Sequence, residues 1–240
     1  MAAPRSIMLL GATGLVGGEC LRQLQNSDAF ERIVVLTRRP VDPELLGPTV
    51  EHHIVNFEHL TAAARFFAVD TIVCALGTTM KAAGSRRKFR AVDLTYPLTA
   101  AHLGLEKKVS HFLVVSSLGA DARSPIFYNR IKGQLEKGLV SLPFRSLTIA
   151  RPSILLGKRE KMRAGERIVA TFSYLAPAKL RAIPASDVAA ALVSAAIAGQ
   201  PGLRVLESSE LRRMAHDASS APSSPRLILK PAEVSHTSVA

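Results

Sequence analysis

Tyr128 and Lys132 stand four residues apart in a segment with helical spacing. At that separation two side chains share one helix face, with Cβ atoms about 5–6 Å apart. A free phenol, with a pKa of about 10, exchanges protons poorly at neutral pH, and a neighbouring ammonium stabilises the phenolate and brings that value down. The pair therefore suits passing a proton to a carbonyl oxygen, or taking one from an alcohol. Tyr-x-x-x-Lys recurs by chance, so its weight comes from its surroundings. Ser116 and Ser117 close an apolar run one strand earlier. A hydroxyl there is placed to hydrogen-bond a substrate carbonyl; the alternative is a polar strand end with capping duties.

Upstream, Gly11-Ala12-Thr13-Gly14-Leu15-Val16-Gly17 follows the first apolar run and opens the first helical pattern. Gly11 permits the tight turn. Gly14 removes a Cβ where a pyrophosphate approaches the backbone, and Gly17 lets helix pack on strand. The helix N-terminus then offers unpaired N–H groups and a positive dipole end to phosphates. About 20 residues past the loop, where an acid would bind a ribose 2′-hydroxyl, the chain has Arg38-Arg39. Two guanidiniums suit a 2′-phosphate through forked hydrogen bonds, which favours NADPH over NADH. The alternative is a surface arginine pair before Pro40. Leu76-Gly77-Thr78-Thr79 follows the fourth strand, and Gly77 leaves room for the adenosine ribose. Lys132 gains a second duty, holding the nicotinamide ribose.

These residues need a scaffold that brings strand ends together. Apolar runs at Ser6–Leu10, Arg32–Thr37, His52–Asn56, Thr71–Ala75, His111–Ser116, Leu147–Ala150 and Leu203–Leu206 alternate with helical patterns at Leu15–Asn26, Lys88–Leu105, Ile126–Leu142 and Asp187–Ala198, the last with Ser186 as N-cap. Short continuous apolar runs separated by helices predict an α/β fold, a doubly wound parallel sheet of the Rossmann type, with a small C-terminal substrate lobe. We read one domain over residues 1–216 and a disordered Ser-, Ala- and Pro-rich tail over 217–240.

Composition narrows the setting. With 48% apolar residues the chain is not a disordered one. Cys20 and Cys74 make no disulfide framework and read as buried thiols in a reducing compartment. No long uncharged apolar stretch and no signal-peptide pattern is present, so we expect a cytoplasmic protein with no membrane attachment. The seven histidines show no metal-ligand spacing, and no metal site is expected. The net charge of +12 raises the prior for anionic partners. The basic clusters around Lys81–Arg90 and Lys158–Arg167 lack interleaved aromatics, which disfavours nucleic acid and leaves a solvated face or a phosphate contact.

Together these residues resemble the atypical short-chain dehydrogenase/reductase superfamily, and within it the family of the HIV Tat-interacting oxidoreductase. The resemblance runs over roughly residues 6–216. It is carried by 11–17, Arg38-Arg39, Cys-Ala-Leu-Gly-Thr-Thr (74–79), Ser-Ser-Leu-Gly-Ala-Asp (116–121), Tyr-Asn-Arg-Ile-Lys-Gly (128–133) and Arg-Pro-Ser-Ile-Leu-Leu (151–156). It implies contacts from Thr13, Gly14, Leu15 and Val16 to the pyrophosphate and from Arg38 and Arg39 to the 2′-phosphate. Leu76 and Gly77 would lie along the adenosine, and Leu155 and Arg163 near the cofactor. Extended relatives carry the catalytic hydroxyl one position past Ser117, where this chain has Leu118. The expectation is an NADPH-dependent oxidoreductase acting on a small carbonyl or alcohol, with Tyr128, Lys132, Ser116 and Ser117 at the reacting centre. The alternative is an NADPH-binding regulator without turnover, with a protein partner or a homo-oligomer. A nucleotide-sugar epimerase or dehydratase is disfavoured, because only about 90 residues follow Pro152.

Overall fold

The computed structural model describes residues 5–156 and 181–220. Seven parallel strands form one sheet: β1 (Ser6–Leu10), β2 (Arg32–Thr37), β3 (Val50–Ile54), β4 (Thr71–Cys74), β5 (His111–Val115), β6 (Ser146–Arg151) and β9 (Gly202–Glu207). Their order is β3-β2-β1-β4-β5-β6-β9. Chain direction across the sheet reverses between β1 and β4, which opens a crevice at the carboxyl ends of the strands. Side chains alternate across the sheet, so both faces must be covered. Ile7 and Leu9 enter the core beneath α1 (Leu15–Gln25), α6 (Ala185–Ala198) and α7 (Ser208–Ser220). Met8 and Leu10 enter the opposite core, beneath a 3-10 segment (Phe57–Phe67), α4 (Tyr96–Glu106) and α5 (Phe127–Val140).

Several local features depart from the sequence reading. The helix expected from Lys88 begins earlier, as α2 (Met80–Ala83) and α3 (Arg86–Arg90), with Gly84 left-handed between them at φ 71°. A π turn (Ala91–Thr95) then joins α3 to α4. Pro97 has no N–H to offer the carbonyl four residues back, and the backbone rewinds just before it. Ser186 is not the N-cap of α6: the helix starts at Ala185 after Pro184, and the Ser186 hydroxyl turns to Asp187. α7 runs to Ser220, four residues past the expected boundary at 216; Leu211 and Ala215 anchor the helix, and its exposed last turn is closed by the Ser219 and Ser220 hydroxyls on the Ala215 and His216 carbonyls. Of the expected C-terminal lobe, the described part is a parallel pair, β7 (Leu155–Leu156) with β8 (Ile183–Pro184).

His111 is buried at the start of β5, with Nε2 2.9 Å from Thr148 Oγ1. Burial pushes its pKa down to about 4, helped by Arg5 and Arg204. A base held neutral in the fold but able to charge in the unfolded chain stabilises fully above the unfolded pKa of about 6.5, and stability is lost as pH falls from there towards 4. Between pH 7 and pH 5 the protein is expected to lose roughly 2 kcal/mol through this residue. Urea titrations of the wild type and His111→Gln at the two pH values check it. An equal pH response in both proteins contradicts the assignment.

Candidate active site

The glycine loop turns between β1 and α1 at the crevice. Gly11 has φ 92°, and a Cβ on it would lie 2.6 Å from the carbonyl oxygen of Ala75. A Cβ on Gly17 would fall 2.0 Å from the Gly11 carbonyl oxygen, so α1 abuts the turn as the sequence predicts. Gly14 N–H donates to Gly11 O at 2.9 Å and closes the loop. Gly14 is also the N-cap of α1 and supplies no side-chain cap, so the first-turn amides face the cleft without one.

Two lobes of that cleft share Gly14, Leu76 and Gly77. The first, about 180 Å³, is bounded by Gly11, Thr13, Leu36, Arg38, Phe57 and Tyr96. Its walls are mixed: Leu36, Phe57 and Tyr96 stand beside the glycine-loop backbone, Thr13 and Thr37, with one guanidinium at the end of β2. Arg38 lines it; the Arg39 side chain does not. Arg39 instead offers its carbonyl to the Thr37 hydroxyl at 2.6 Å, and Thr37 Oγ1 also meets His52 Nε2 at 2.7 Å. With its proton given to Arg39, the Thr37 oxygen accepts from the imidazole, which ties the arginine turn to β3. His53 points the other way and stacks on Phe66, ring centroids 3.8 Å apart.

The second lobe, about 420 Å³, brings Leu15, Val16, Ser116, Tyr128, Lys132 and Leu155 together. Tyr128 reaches it from the first turn of α5, its ring set edge-on to buried Phe89 at 5.7 Å. Lys132 lies one turn further and is 3% exposed. Its Nζ is 2.9 Å from Asp93 Oδ1 and donates to the Val115 carbonyl at 3.3 Å. Burial alone would lower the pKa of this ammonium. The Asp93 carboxylate, and after it Tyr128, outweigh burial and hold it above the ordinary lysine value. Asp93 is 1% exposed, and its Oδ2 accepts from Thr78 N–H at 2.9 Å. One carboxylate thus fixes both the lysine on α5 and the loop after β4. Sequence reasoning passed over Asp93. Its signal was an acid flanked by Val92 and Leu94 at the end of an acid-free stretch that begins after Asp70.

Ser116 lines the second lobe, but its hydroxyl donates to Glu136 Oε1 on α5. Glu136 is gripped in turn by Arg151, Nη2 to Oε2 at 2.6 Å and Nε to Oε1 at 3.0 Å, and Arg151 Nη1 reaches Glu207 at 3.1 Å. With its proton committed, Ser116 presents only lone pairs to the cleft. The Ser117 hydroxyl is buried without a hydrogen-bond partner among the described residues, and Ser117 does not line the lobe. Arg163 lies outside the described residues. Glu136 was also missed, although it continues the Tyr128, Lys132 spacing by one more turn. Among the described residues no three His, Cys, Asp or Glu gather as a metal site, and no helix is long and apolar enough to cross a membrane.

A seven-stranded parallel sheet, a glycine turn at its switch point and a Tyr-Lys pair over the adjoining strand ends define an atypical short-chain dehydrogenase/reductase. Residues 7–134 match the family described as "NAD dependent epimerase/dehydratase family", and the chain belongs to that family. Among curated proteins it is similar to Protein HTATIP2 of Rattus norvegicus, 30% identical over 89% of this chain and 90% of that one. It is also similar to Protein FMP52, mitochondrial, of Debaryomyces hansenii, 32% identical over 82% and 88%. Among solved structures, a putative NAD-dependent epimerase/dehydratase from Bacillus halodurans superposes with a TM-score of 0.67 at 19% identity, over 89% of this chain and 99% of that one. Bordetella bronchiseptica WbmH in complex with NAD+ gives 0.67 at 14% identity, over 92% and 83%. At such identities the structures speak for the fold alone.

Proposed function

We propose that the protein is an NADPH-dependent oxidoreductase that interconverts a small carbonyl compound and its alcohol, with Tyr128 as proton donor and acceptor. The observation that carries this reading is the second lobe, where Tyr128 and a buried, carboxylate-held Lys132 face the same cavity as the start of α1. The residues present suit a dinucleotide. The glycine turn and α1 would take the pyrophosphate, the first lobe with Leu36, Phe57 and Tyr96 the adenosine, and Arg38 a 2′-phosphate. Bound there, the cofactor supplies or removes a hydride. Tyr128 gives its hydroxyl proton to the carbonyl oxygen in reduction and takes it back in oxidation. Lys132, held charged by Asp93, stabilises the negative charge left on the phenol oxygen. Ser116 has no proton to offer, and the phenol stands on the same helix face as the ammonium that would stabilise its anion.

Calorimetric titration with NADPH and NADH tests the cofactor, and a screen of aldehydes and ketones with NADPH tests the chemistry. A charge-assisted guanidinium–phosphate contact is worth about 1.5–3 kcal/mol. Arg38→Ala is therefore expected to weaken NADPH about 10- to 100-fold and NADH no more than about 3-fold, and Arg39→Ala to do less. An equal loss for both nucleotides removes the 2′-phosphate reading.

A second reading keeps NADPH and drops turnover. It is favoured by the state of the serines, with Ser116 committed to Glu136 and Ser117 outside the lobe. It predicts nucleotide binding with no oxidation of NADPH by any carbonyl, and a protein partner or second copy retained only with nucleotide bound. Two buried free thiols support a reducing, cytoplasmic setting. The fungal relative is named mitochondrial, so fractionation of a tagged chain is the measurement to make.

A further inference from the structure

The rim of the second lobe carries charge that the chain does not offset. Thr79 and Met80 line the lobe, and the chain continues from them into α2 and α3. That stretch holds Lys81, Arg86, Arg87, Lys88 and Arg90, all exposed, outside the lobe's own lining but following directly on it, and no acid until buried Asp93. Elsewhere several arginines are ion-paired, Arg22 with Glu19, Arg32 with Glu51, and Arg204 and Arg213 with Glu210, and unpaired ones such as Arg65, Arg123 and Arg145 stand singly in the sequence rather than five within ten residues. Among the described residues none of the five rim cations forms such a pair, and Arg90 donates to the neutral Gln134 amide. Clustered like charges without counter-charges repel one another and focus a positive potential at the mouth.

The rim is also held in place. Phe89 on α3 is fully buried and packs 5.6 Å from Phe127 as well as against Tyr128. The Arg86 guanidinium sits 5.2 Å from the Phe127 ring, the residue that precedes the phenol. Inside this charged edge the lobe is apolar, with Leu15, Val16, Met80 and Leu155. Met80, Ile126 and Ile154 leave further apolar surface exposed beside it, at 40%, 60% and 50%. The cofactor's own phosphates are accounted for by the glycine loop and Arg38, so the rim cations remain for another anion.

We infer that the Tyr128 site takes an anionic amphiphile: a carbonyl on an apolar chain whose far end is a phosphate or carboxylate, held at the rim by Lys81 and Arg86. The reacting half of this statement rests on the oxidoreductase reading; the binding half rests only on nucleotide occupying the glycine turn and Arg38. The test uses the full chain saturated with NADPH, titrated with decyl phosphate and with decanol below their aggregation limits. Decyl phosphate is expected to bind about 10-fold or more tightly than decanol, and more weakly as salt rises. Lys81→Glu with Arg86→Glu should erase that preference. Lys107→Glu, a charge reversal at the opposite end of the sheet, should leave it intact. In turnover, ω-oxodecanoate should show a lower KM than decanal, and the rim variant should raise only the former, with kcat unchanged. Equal binding of the two ligands overturns the inference, as does an equal effect of Lys107→Glu. Sedimentation with phosphatidylserine vesicles without binding of monomeric decyl phosphate also overturns it, in favour of a membrane-facing rim. Selective decyl phosphate binding with neither aldehyde reduced sinks the oxidoreductase reading and leaves the anion site standing. Reduction of both aldehydes with equal KM does the reverse.

Discussion

Replacing Asp93 by alanine is expected to destabilise the protein by about 3–5 kcal/mol, because it leaves a buried ammonium without its counter-charge. Lys132 is 3% exposed, and apart from Asp93 its one hydrogen bond is to the Val115 carbonyl. The substitution also strips the acceptor from Thr78 N–H, so the loop that separates the two lobes loses its anchor. Urea unfolding measures the loss. Asp93→Asn, which keeps an acceptor for Thr78 but not the charge, should cost less. Lys132→Met in the Asp93→Ala background should recover part of the stability, since removing both charges is far cheaper than removing one. If the single and double variants unfold at the same urea concentration, the pair is not the energetic unit described here. A functional consequence accompanies the structural one. With the carboxylate gone, burial dominates the lysine and pushes its pKa down, and the positive charge beside Tyr128 is lost as pH rises.

Tyr128→Phe carries the largest expected effect on turnover. Removal of a general acid-base group costs about 10²- to 10⁴-fold in rate. The ring packs edge-on against Phe89, and phenylalanine preserves that contact. Stability and nucleotide affinity should therefore stay close to wild type while kcat falls. Steady-state rates with whichever carbonyl the screen returns, beside a calorimetric titration with NADPH, separate the two effects. A variant that reduces the substrate as fast as wild type places the proton donor elsewhere, and a variant that loses nucleotide binding as well shows that the phenol was holding the cleft together.

The local geometry of this cleft is legible in the sequence. The glycine turn is legible because its requirements are local: a left-handed Gly11, and a Gly17 with no space for a Cβ, sit within seven residues of each other. Tyr128 and Lys132 are legible because a helix makes residues four apart into neighbours. Apolar runs of four to six residues identify strands covered on both faces, whatever their order. The roles of the serines were not legible. Ser116 and Ser117 look equivalent in sequence, yet Ser116 lines the lobe and spends its proton on Glu136, while Ser117 is buried away from it. Arg38 and Arg39 likewise differ only once the Thr37–His52 contact has set the turn, which leaves Arg38 on the lobe.

The chain's order of residues by itself determined the class of fold, the glycine turn and the shared helix face of Tyr128 and Lys132, since each depends on backbone geometry and side-chain period over a few consecutive positions. Tertiary structure alone decided what holds Lys132, where the Ser116 proton goes and which arginine meets the cleft. Asp93 and Lys132 are 39 positions apart, and Ser116 and Glu136 are 20 apart. Contacts of that kind leave no periodic trace in a sequence, because they exist only when a π turn, a strand end and a helix face are packed to within hydrogen-bonding distance, where low dielectric makes each pairing decisive.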